Sequence, residues 1–244
     1  MEPAKPANPR ILTINGGSSS IKFALFEAGD PLKRILLGGI ERIGLPDATF
    51  HVKGFGHVES FSRIIAAPDH TAAVGALMDW IEQRSGHDAL TAVGHRVVHG
   101  GPKYSEPALV TREMVEELRQ LKPFDPEHLP EEIQLAEAFH CRFSDLPQVA
   151  CFDTAFHHHL PRVAQLLPIP RRYEAQGVRR YGFHGLSCES IVAQLRKAQG
   201  ITFPRRMAIA HLGSGCSVTA CLDGKSVDGK VLSDRVRERL SKLG

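Results

Sequence analysis

The chain has 244 residues, enough for one large domain or two small ones, and 42% of them are apolar, enough for a sizeable core. Its formal charge of +3 is mild and gives no reason to expect a nucleic-acid or membrane surface, although a small anionic substrate is compatible with it. The five cysteines are odd in number and form no C-x-x-C pair, which argues against a disulfide framework and a zinc ribbon. The N-terminus lacks the apolar core of a signal peptide and no apolar run could span a bilayer, so we expect a cytoplasmic protein with reduced thiols.

Predicted strands and helices mix along the whole chain. After a Pro-rich stretch, strands are predicted over residues 11–14, 21–26, 36–41, 48–53, 91–98, 148–152, 207–210 and 218–222. Helices are predicted after the capping residues Asp69 and Thr111, from Pro130, and over residues 187–198. This order indicates an α/β fold that opens with an antiparallel hairpin rather than with strict βαβ repeats.

Two loops rich in glycine and serine interrupt the predicted strands. Asn15 opens NGGSSSIKFALFEAG and His211 opens HLGSGCSVTACLDG, and both predict strand, turn and strand. Such turns bring backbone N–H groups and hydroxyls to phosphate oxygens, although ordinary hairpin turns are the commonest use of these residues. The likeness between the loops favours a duplicated fold with two phosphate loops, and a chance match is the alternative.

Standard nucleotide and hydrolase motifs are absent from the sequence. DGKS at 223–226 resembles the end of a P-loop, but Thr219 stands where the first glycine is required. No G-x-G-x-x-G follows a predicted strand, and no G-x-S-x-G elbow offers a serine nucleophile. Any phosphate chemistry must therefore come from other loops.

Charged side chains stand near the ends of two predicted strands. Arg96 lies in GHRVVHGG, where its planar guanidinium suits a phosphoryl or carboxylate group, with a surface ion pair as the alternative. Asp153 ends a buried strand, a costly place for a carboxylate unless it is paired, holds Mg²⁺ through water or orients an attacking oxygen. His95 and His99 lie too far apart along a strand for easy chelation, which favours core or loop histidines.

Histidines recur in two further segments. The adjacent histidines 157–159 cannot all reach one ion from a helix, which disfavours a metal site there. His184 lies in RRYGFHGLS between Phe183 and Gly185. A histidine at such a turn either donates a hydrogen bond to developing charge or is a satisfied structural residue.

Taken in order, INGGSSSIKFALF, GHRVVHGG, FDTAFH, RRYGFHGLS and IAHLGSGCSV with DGKSVD closely resemble segments of the acetokinase family, over residues 11–228. That family belongs to the sugar kinase, Hsp70 and actin superfamily. The resemblance implies a duplicated ribonuclease-H-like (actin-like ATPase) α/β fold with a cleft between two domains. It predicts a loose lead over residues 1–9, a first domain over 10–149, the start of a second, nucleotide-side domain over 150–228, and an atypical tail over 229–244.

The same resemblance implies a phosphotransferase with a carboxyl group as acceptor. The reaction would be reversible phosphorylation of acetate to acetyl phosphate by ATP, with Mg²⁺ or Mn²⁺ and direct in-line transfer. Arg96, Asp153 and His184 match the catalytic residues, and Asn15 matches the residue that helps hold Mg²⁺. Family members are commonly homodimers.

Further positions match the family's binding residues. The nucleotide-contacting positions are Lys22, His211, Leu212, Gly213, Ser214 and Gly215. Arg96 would bind the acetate carboxylate, while Val98 and Phe183 would form the walls of a small apolar pocket for its methyl group.

Three departures from the family pattern stand out. Ser214 replaces the usual asparagine, and Glu127 precedes His128 where leucine is common. Family members continue beyond the position of Asp228 through a second catalytic arginine, adenosine-binding segments and a metal-contacting glutamate. We therefore expect a truncated second domain and an aggregation-prone or partner-dependent chain.

Two alternatives to an active acetate-phosphorylating enzyme follow. The first alternative is a catalytically inactive acetokinase fragment, and the second is a kinase for propionate or butyrate. One methylene changes specificity by only ~1–3 kcal/mol, so the sequence does not separate these acids.

Overall fold

The computed structural model describes residues 9–56, 58–85, 90–213 and 215–231 and divides them between two compact units. The first unit lies within Met1–Val97 and Pro107–Cys151, and the second within Val98–Glu106 and Phe152–Gly244. Most of the predicted lead (residues 1–9) and most of the predicted tail (residues 229–244) fall outside the described residues. Within those residues, no helix has the length and apolar character needed to cross a bilayer.

An eight-stranded mixed sheet organises the first unit. Its strands are β1 (Arg10–Gly17), β2 (Ser20–Glu27), β3 (Lys33–Glu41), β4 (Thr49–Gly54), β5 (Phe61–Ile64), β6 (Leu90–Val97), β7 (Ala108–Leu109) and β8 (Gln148–Phe152). They are ordered β5-β4-β3-β2-β1-β6-β8-β7. Strands β1 to β5 form an antiparallel meander, whereas β1 and β6 are parallel, with Ile14 opposite His95. The carboxyl ends of β1 and β6 therefore meet at the same edge.

Three helices accompany this sheet: α1 (His70–Ser85), α2 (Arg112–Gln120) and α3 (Leu129–Arg142). The predicted caps are confirmed, since Asp69 accepts the Ala72 N–H at 2.8 Å and Thr111 accepts the Met114 N–H at 3.2 Å. Pro130 lies in the first turn of α3, where its missing N–H costs nothing.

An aromatic cluster fills the core of the first unit. Trp80, the single tryptophan of the chain, packs against Phe50 with ring centroids 5.7 Å apart and against Phe23 at 5.9 Å. The edge-to-face contact of Phe50 with Phe61 extends the cluster to β5. Because Trp80 is only 6% exposed, its fluorescence reports on the folding of this unit.

The second unit is built on a three-stranded antiparallel sheet. Its strands are β9 (Arg206–Leu212), β10 (Cys216–Leu222) and β11 (Lys225–Val231), in the order β11-β10-β9. Its helices are α4 (Arg162–Gln165), α5 (Arg171–Ala175) and α6 (Gly185–Lys197). Helix α6 packs Cys188 and Val192 against Ile209 and Cys221 of the sheet. The strand–turn–strand predicted from His211 is confirmed as β9 and β10, and the one from Asn15 as β1 and β2.

A buried histidine makes the stability of the first unit depend on pH. His95 is 2% exposed, and Gln148 is satisfied when its amide nitrogen donates to His95 Nε2 and its oxygen accepts the His140 N–H. Burial lowers the pKa of His95 to about 4, from an ordinary value of 6.5. The folded chain therefore excludes a proton that the unfolded chain takes up below pH 6.5, so stability is full above that pH and is lost on acidification.

We predict that the unfolding free energy of the first unit falls by about 2 kcal/mol between pH 7 and pH 5 because of His95. Urea titrations followed by Trp80 fluorescence at several pH values measure it. The variant His95→Gln removes the titrating ring and is expected to flatten this dependence. If the unfolding free energy falls equally with pH in the wild type and the variant, a group other than His95 causes the pH dependence.

Candidate active site

In the first unit, the predicted site residues Asn15, Lys22 and Arg96 lie on neighbouring strands. Asn15 is on β1, opposite Lys22 of β2 in the antiparallel register, and both side chains are exposed. Arg96 is on β6, beside β1, and its Nη1 lies 3.4 Å from Asn15 Oδ1. The structure thus brings an amide oxygen and a guanidinium together at the carboxyl ends of two parallel strands.

A buried carboxylate also contacts the guanidinium of Arg96, at the same nitrogen. Glu132, in the first turn of α3, has a side chain only 1% exposed, and its Oε1 accepts from Arg96 Nη1 at 3.0 Å. Helix α3 packs closely on β1 here: a Cβ at Gly16 would lie 3.3 Å from the Leu135 side chain, a tight contact, and 3.8 Å from Glu132 Cγ, an ordinary one. Sequence reasoning assigned Glu132 only to the first turn of a helix, where acids are common; its contact with Arg96 depends on the packing of α3 against β1.

The second unit contains the other predicted residues that the structure describes. Asp153 follows β8 and is 4% exposed, and its backbone carbonyl accepts the Gly185 N–H at 3.0 Å. Gly185 is required at the start of α6, since a Cβ would lie 2.1 Å from the Asp153 carbonyl oxygen. This contact fixes His184, the preceding residue, near the end of β8.

His184 has an unusual backbone conformation and a constrained ring. Its φ is +60°, in the left-handed region that residues other than glycine rarely adopt. Its Nδ1 lies 2.9 Å from Ser217 Oγ, and its ring stacks on that of His211 with centroids 4.1 Å apart and planes 16° apart. Strain of this kind persists where the surroundings hold it and is concentrated at functional sites. Ser217, buried on β10, was not selected from the sequence.

Val98 and Phe183 both lie in the second unit, where the ring of Phe183 belongs to a group of packed aromatic rings. Val98 is 4% exposed, and the next residue, His99, packs edge-on against Tyr181 at 4.4 Å and Phe183 at 5.8 Å. The His99 Nδ1 accepts the Gly101 N–H at 2.8 Å. His99 is therefore a buried loop histidine, as the sequence favoured.

The loop between β9 and β10 contains the predicted nucleotide-contacting residues. Leu212 is 62% exposed, Gly213 and Gly215 are exposed, and Ser214 lies outside the described residues. The thiol of Cys216 donates to the Gly213 carbonyl at 3.4 Å and closes the turn. The first loop, at Ser18 and Ser19, is also an exposed hairpin turn.

The run of three histidines contains a structural residue. His157 is buried, its Nδ1 lies 2.8 Å from Ser226 Oγ, and its Nε2 donates to the Phe183 carbonyl at 3.0 Å. Burial lowers the pKa of His157, which favours a neutral ring that donates from Nε2 to the Phe183 carbonyl. Both nitrogens are engaged, so this ring is unsuited to bind a metal. Among the described residues, no group of three or more His, Cys, Asp or Glu is arranged to hold an ion.

Removal of the Glu132 carboxylate is expected to destabilise the first unit, because it leaves the partly buried Arg96 charge without this partner. We predict that Glu132→Ala loses about 3 kcal/mol of unfolding free energy, measured by urea titration with Trp80 fluorescence. Glu137, on the same helix, pairs with Arg119 at the surface and is 42% exposed, so Glu137→Ala is expected to lose less than about 1 kcal/mol. Equal losses in the two variants would contradict the importance of the buried pair.

Comparison with known proteins places these residues in a family. The chain matches the model of the Acetokinase family over residues 10–231. It is 42% identical over 221 residues to an acetate kinase of Rhodopseudomonas palustris, and 42% identical over 219 residues to one of Deinococcus radiodurans. Each match covers 89% of this chain, but the chain spans only 56% and 54% of the length of these two relatives.

Solved structures agree with this result. A propionate kinase from Francisella tularensis superposes with a TM-score of 0.83 at 28% identity, covering 96% of this chain and 64% of that one. An acetate kinase from Porphyromonas gingivalis gives 0.79 at 30% identity, covering 91% and 57%. The predicted α/β fold class is confirmed, over part of the family's fold. The chain belongs to the Acetokinase family.

Proposed function

We propose that this chain contributes to a kinase that transfers the γ-phosphoryl group of ATP to the carboxylate of acetate, reversibly forming acetyl phosphate. Membership of the Acetokinase family is the observation that carries the proposal. The geometry of Arg96 and His184 supports it, since each presents nitrogen donors suited to anionic oxygens. Phosphoryl transfer requires mainly such donors and alignment, and little covalent participation by the protein.

Arg96 binds the acetate carboxylate in this proposal. A guanidinium offers donors in a planar fork that matches two carboxylate oxygens. Glu132 engages Nη1 and Asn15 accepts weakly at 3.4 Å, so the side chain is held in one orientation before substrate arrives. A held arginine loses less conformational entropy on binding than a free one. Val98 and Phe183 form apolar walls for the acetate methyl group.

His184 and the loop from His211 to Gly215 contact the phosphates. His184 donates a hydrogen bond to the phosphoryl group during transfer, and the exposed N–H groups of the glycines bind phosphate oxygens of the nucleotide, together with Lys22. Asp153 orients the attacking acetate oxygen. Transfer is direct and in line, because none of these residues is placed as an evident nucleophile for a phosphorylated intermediate.

Mg²⁺ or Mn²⁺ fits the donors that the chain offers. Asn15 presents an exposed amide oxygen whose contact with Arg96 is long, and a hard oxygen ligand of this kind suits Mg²⁺, which is bound mainly by phosphates and water. When bound, the ion would neutralise charge on the ATP phosphates.

We also propose, from the family resemblance, domains over residues 10–149 and 150–228, a homodimer and a cytoplasmic location.

A second candidate is a kinase for propionate or butyrate. The superposition on a propionate kinase from Francisella tularensis, with a TM-score of 0.83, supports this candidate. The two candidates share every residue role above and differ only in the room left for the alkyl group. An additional methylene is worth roughly 1–3 kcal/mol, so their kcat/KM values are expected to separate by about tenfold or more.

We predict that the purified chain, incubated with MgATP and acetate, forms an acyl phosphate that hydroxylamine traps as a hydroxamate. Arg96→Ala is expected to lose at least about 100-fold in kcat/KM, because a charge-assisted pair and the alignment of acetate are both lost. Propionate and butyrate, assayed in parallel, identify the preferred acid.

Arg142→Ala is the matched control. Arg142 forms surface ion pairs with Asp79 and Glu82 and is expected to change the rate by less than about twofold. Folded wild-type protein that forms no hydroxamate with any of the three acids would contradict the kinase proposal for this chain and favour the inactive fragment. Equal activity of Arg96→Ala and wild type would contradict the role of Arg96.

A further inference from the structure

Within the second unit, the backbone conformation and two contacts of the ring hold His184. Its backbone has a φ of +60° and precedes the first residue of α6. Its ring stacks on His211 at 4.1 Å, which fixes the plane of the imidazole. Its Nδ1 lies 2.9 Å from Ser217 Oγ, which fixes the rotation of the ring within that plane. The other nitrogen, Nε2, points toward the β9–β10 loop, since a Cβ on Gly215 would lie 3.4 Å from it.

The direction of the hydrogen bond between His184 and Ser217 follows from burial. Ser217 is 2% exposed, and within the described part of the chain its hydroxyl has one hydrogen-bond partner, the His184 Nδ1. A serine hydroxyl carries one hydrogen, and a buried donor without an acceptor is costly, whereas an oxygen that accepts nothing costs less. The hydroxyl therefore donates to Nδ1, and the proton of the neutral ring lies on Nε2.

The stacking of His184 on His211 disfavours a positive charge on both rings at once. Two parallel imidazolium rings at 4.1 Å would place like charges in direct contact, which is unfavourable. A neutral His184 carrying its proton on Nε2 avoids that repulsion and still has a donor directed toward the loop. An imidazolium would also have to give up the bond from the Ser217 hydroxyl, because its protonated Nδ1 no longer accepts.

We propose that Ser217 is a positioning residue that fixes His184 as the neutral tautomer with its proton on Nε2. His184 then donates from Nε2 to the phosphoryl group during transfer without having to become positively charged. The role of His184 in phosphoryl transfer rests on the proposed function, whereas its tautomer is a property of the ligand-free chain alone. Ser217 itself touches no substrate in this scheme.

Nitrogen-15 NMR of the imidazole rings in the ligand-free 244-residue chain tests the tautomer directly. We expect His184 to show a protonated Nε2 and an unprotonated Nδ1. In Ser217→Ala the Nδ1 resonance is expected to shift and the ring to average between tautomers, and Ser217→Thr, which keeps a hydroxyl, is expected to restore the wild-type pattern. The assignment of His184 comes from His184→Gln.

Ser226→Ala is the matched control, because Ser226 is also a buried serine on this sheet, with its Oγ 2.8 Å from the Nδ1 of a buried histidine, His157. It is expected to shift the His157 resonances and to leave those of His184 in place. A wild-type His184 protonated on Nδ1, or a pattern that Ser217→Ala does not change, would overturn the proposal.

Kinetics separate this proposal from the proposed function. If the chain forms acetyl phosphate, Ser217→Ala is expected to lower kcat about tenfold, the equivalent of one hydrogen bond, with KM for acetate within twofold and with recovery in Ser217→Thr. An unchanged kcat would overturn the catalytic part. An inactive wild-type chain that shows the Nε2-protonated ring would contradict the proposed function and leave the tautomer assignment standing.

Discussion

The burial of the Glu132 carboxylate is the constraint on which the polar edge of the first unit depends. A carboxylate that is 1% exposed is tolerated only with a charged or hydrogen-bonded partner, and Arg96 provides it at 3.0 Å. To make this pair, α3 must pack closely on β1 near Gly16, and β6 must lie beside β1 in parallel register. The orientation of Arg96 is therefore a property of the whole unit rather than of the loop in which it lies.

A comparable constraint operates in the second unit, where the close contact is made by a glycine rather than by an ion pair. Gly185 packs directly on the Asp153 carbonyl, so the chain must turn sharply at His184, and this residue takes the left-handed conformation. His157 contacts the same turn by donating to the Phe183 carbonyl. Ser217 and His211 then define the position of the His184 ring. The imidazole is thus held before any ligand is present, which is the arrangement that electrostatic stabilisation of a transferring group requires.

Much of the fold could be predicted from local patterns. The strands with apolar alternation, the two Gly/Ser hairpins and the helix caps at Asp69 and Thr111 are confirmed. The elements that were missed share weak local signals. Strand β11 reads KSVDGKV and is largely polar, β5 has four residues and buries none of them fully, and β7 has two residues. Helices α4 and α5 are each too short to show a helical period. These elements exist because neighbouring strands and turns supply their partners.

The candidate site could likewise be predicted only in part from local patterns. The sequence by itself determined the family, the fold class and the identity of Arg96, Asp153 and His184 as candidates, because glycines, strand ends and motif order are local features of the chain. Only the tertiary structure decided that Glu132 is buried against Arg96, that His95 and His157 are neutral core residues, and that Ser217 bonds to His184. Each of these depends on side chains far apart in the sequence meeting where water is excluded, and burial of that kind is set by packing rather than by local pattern.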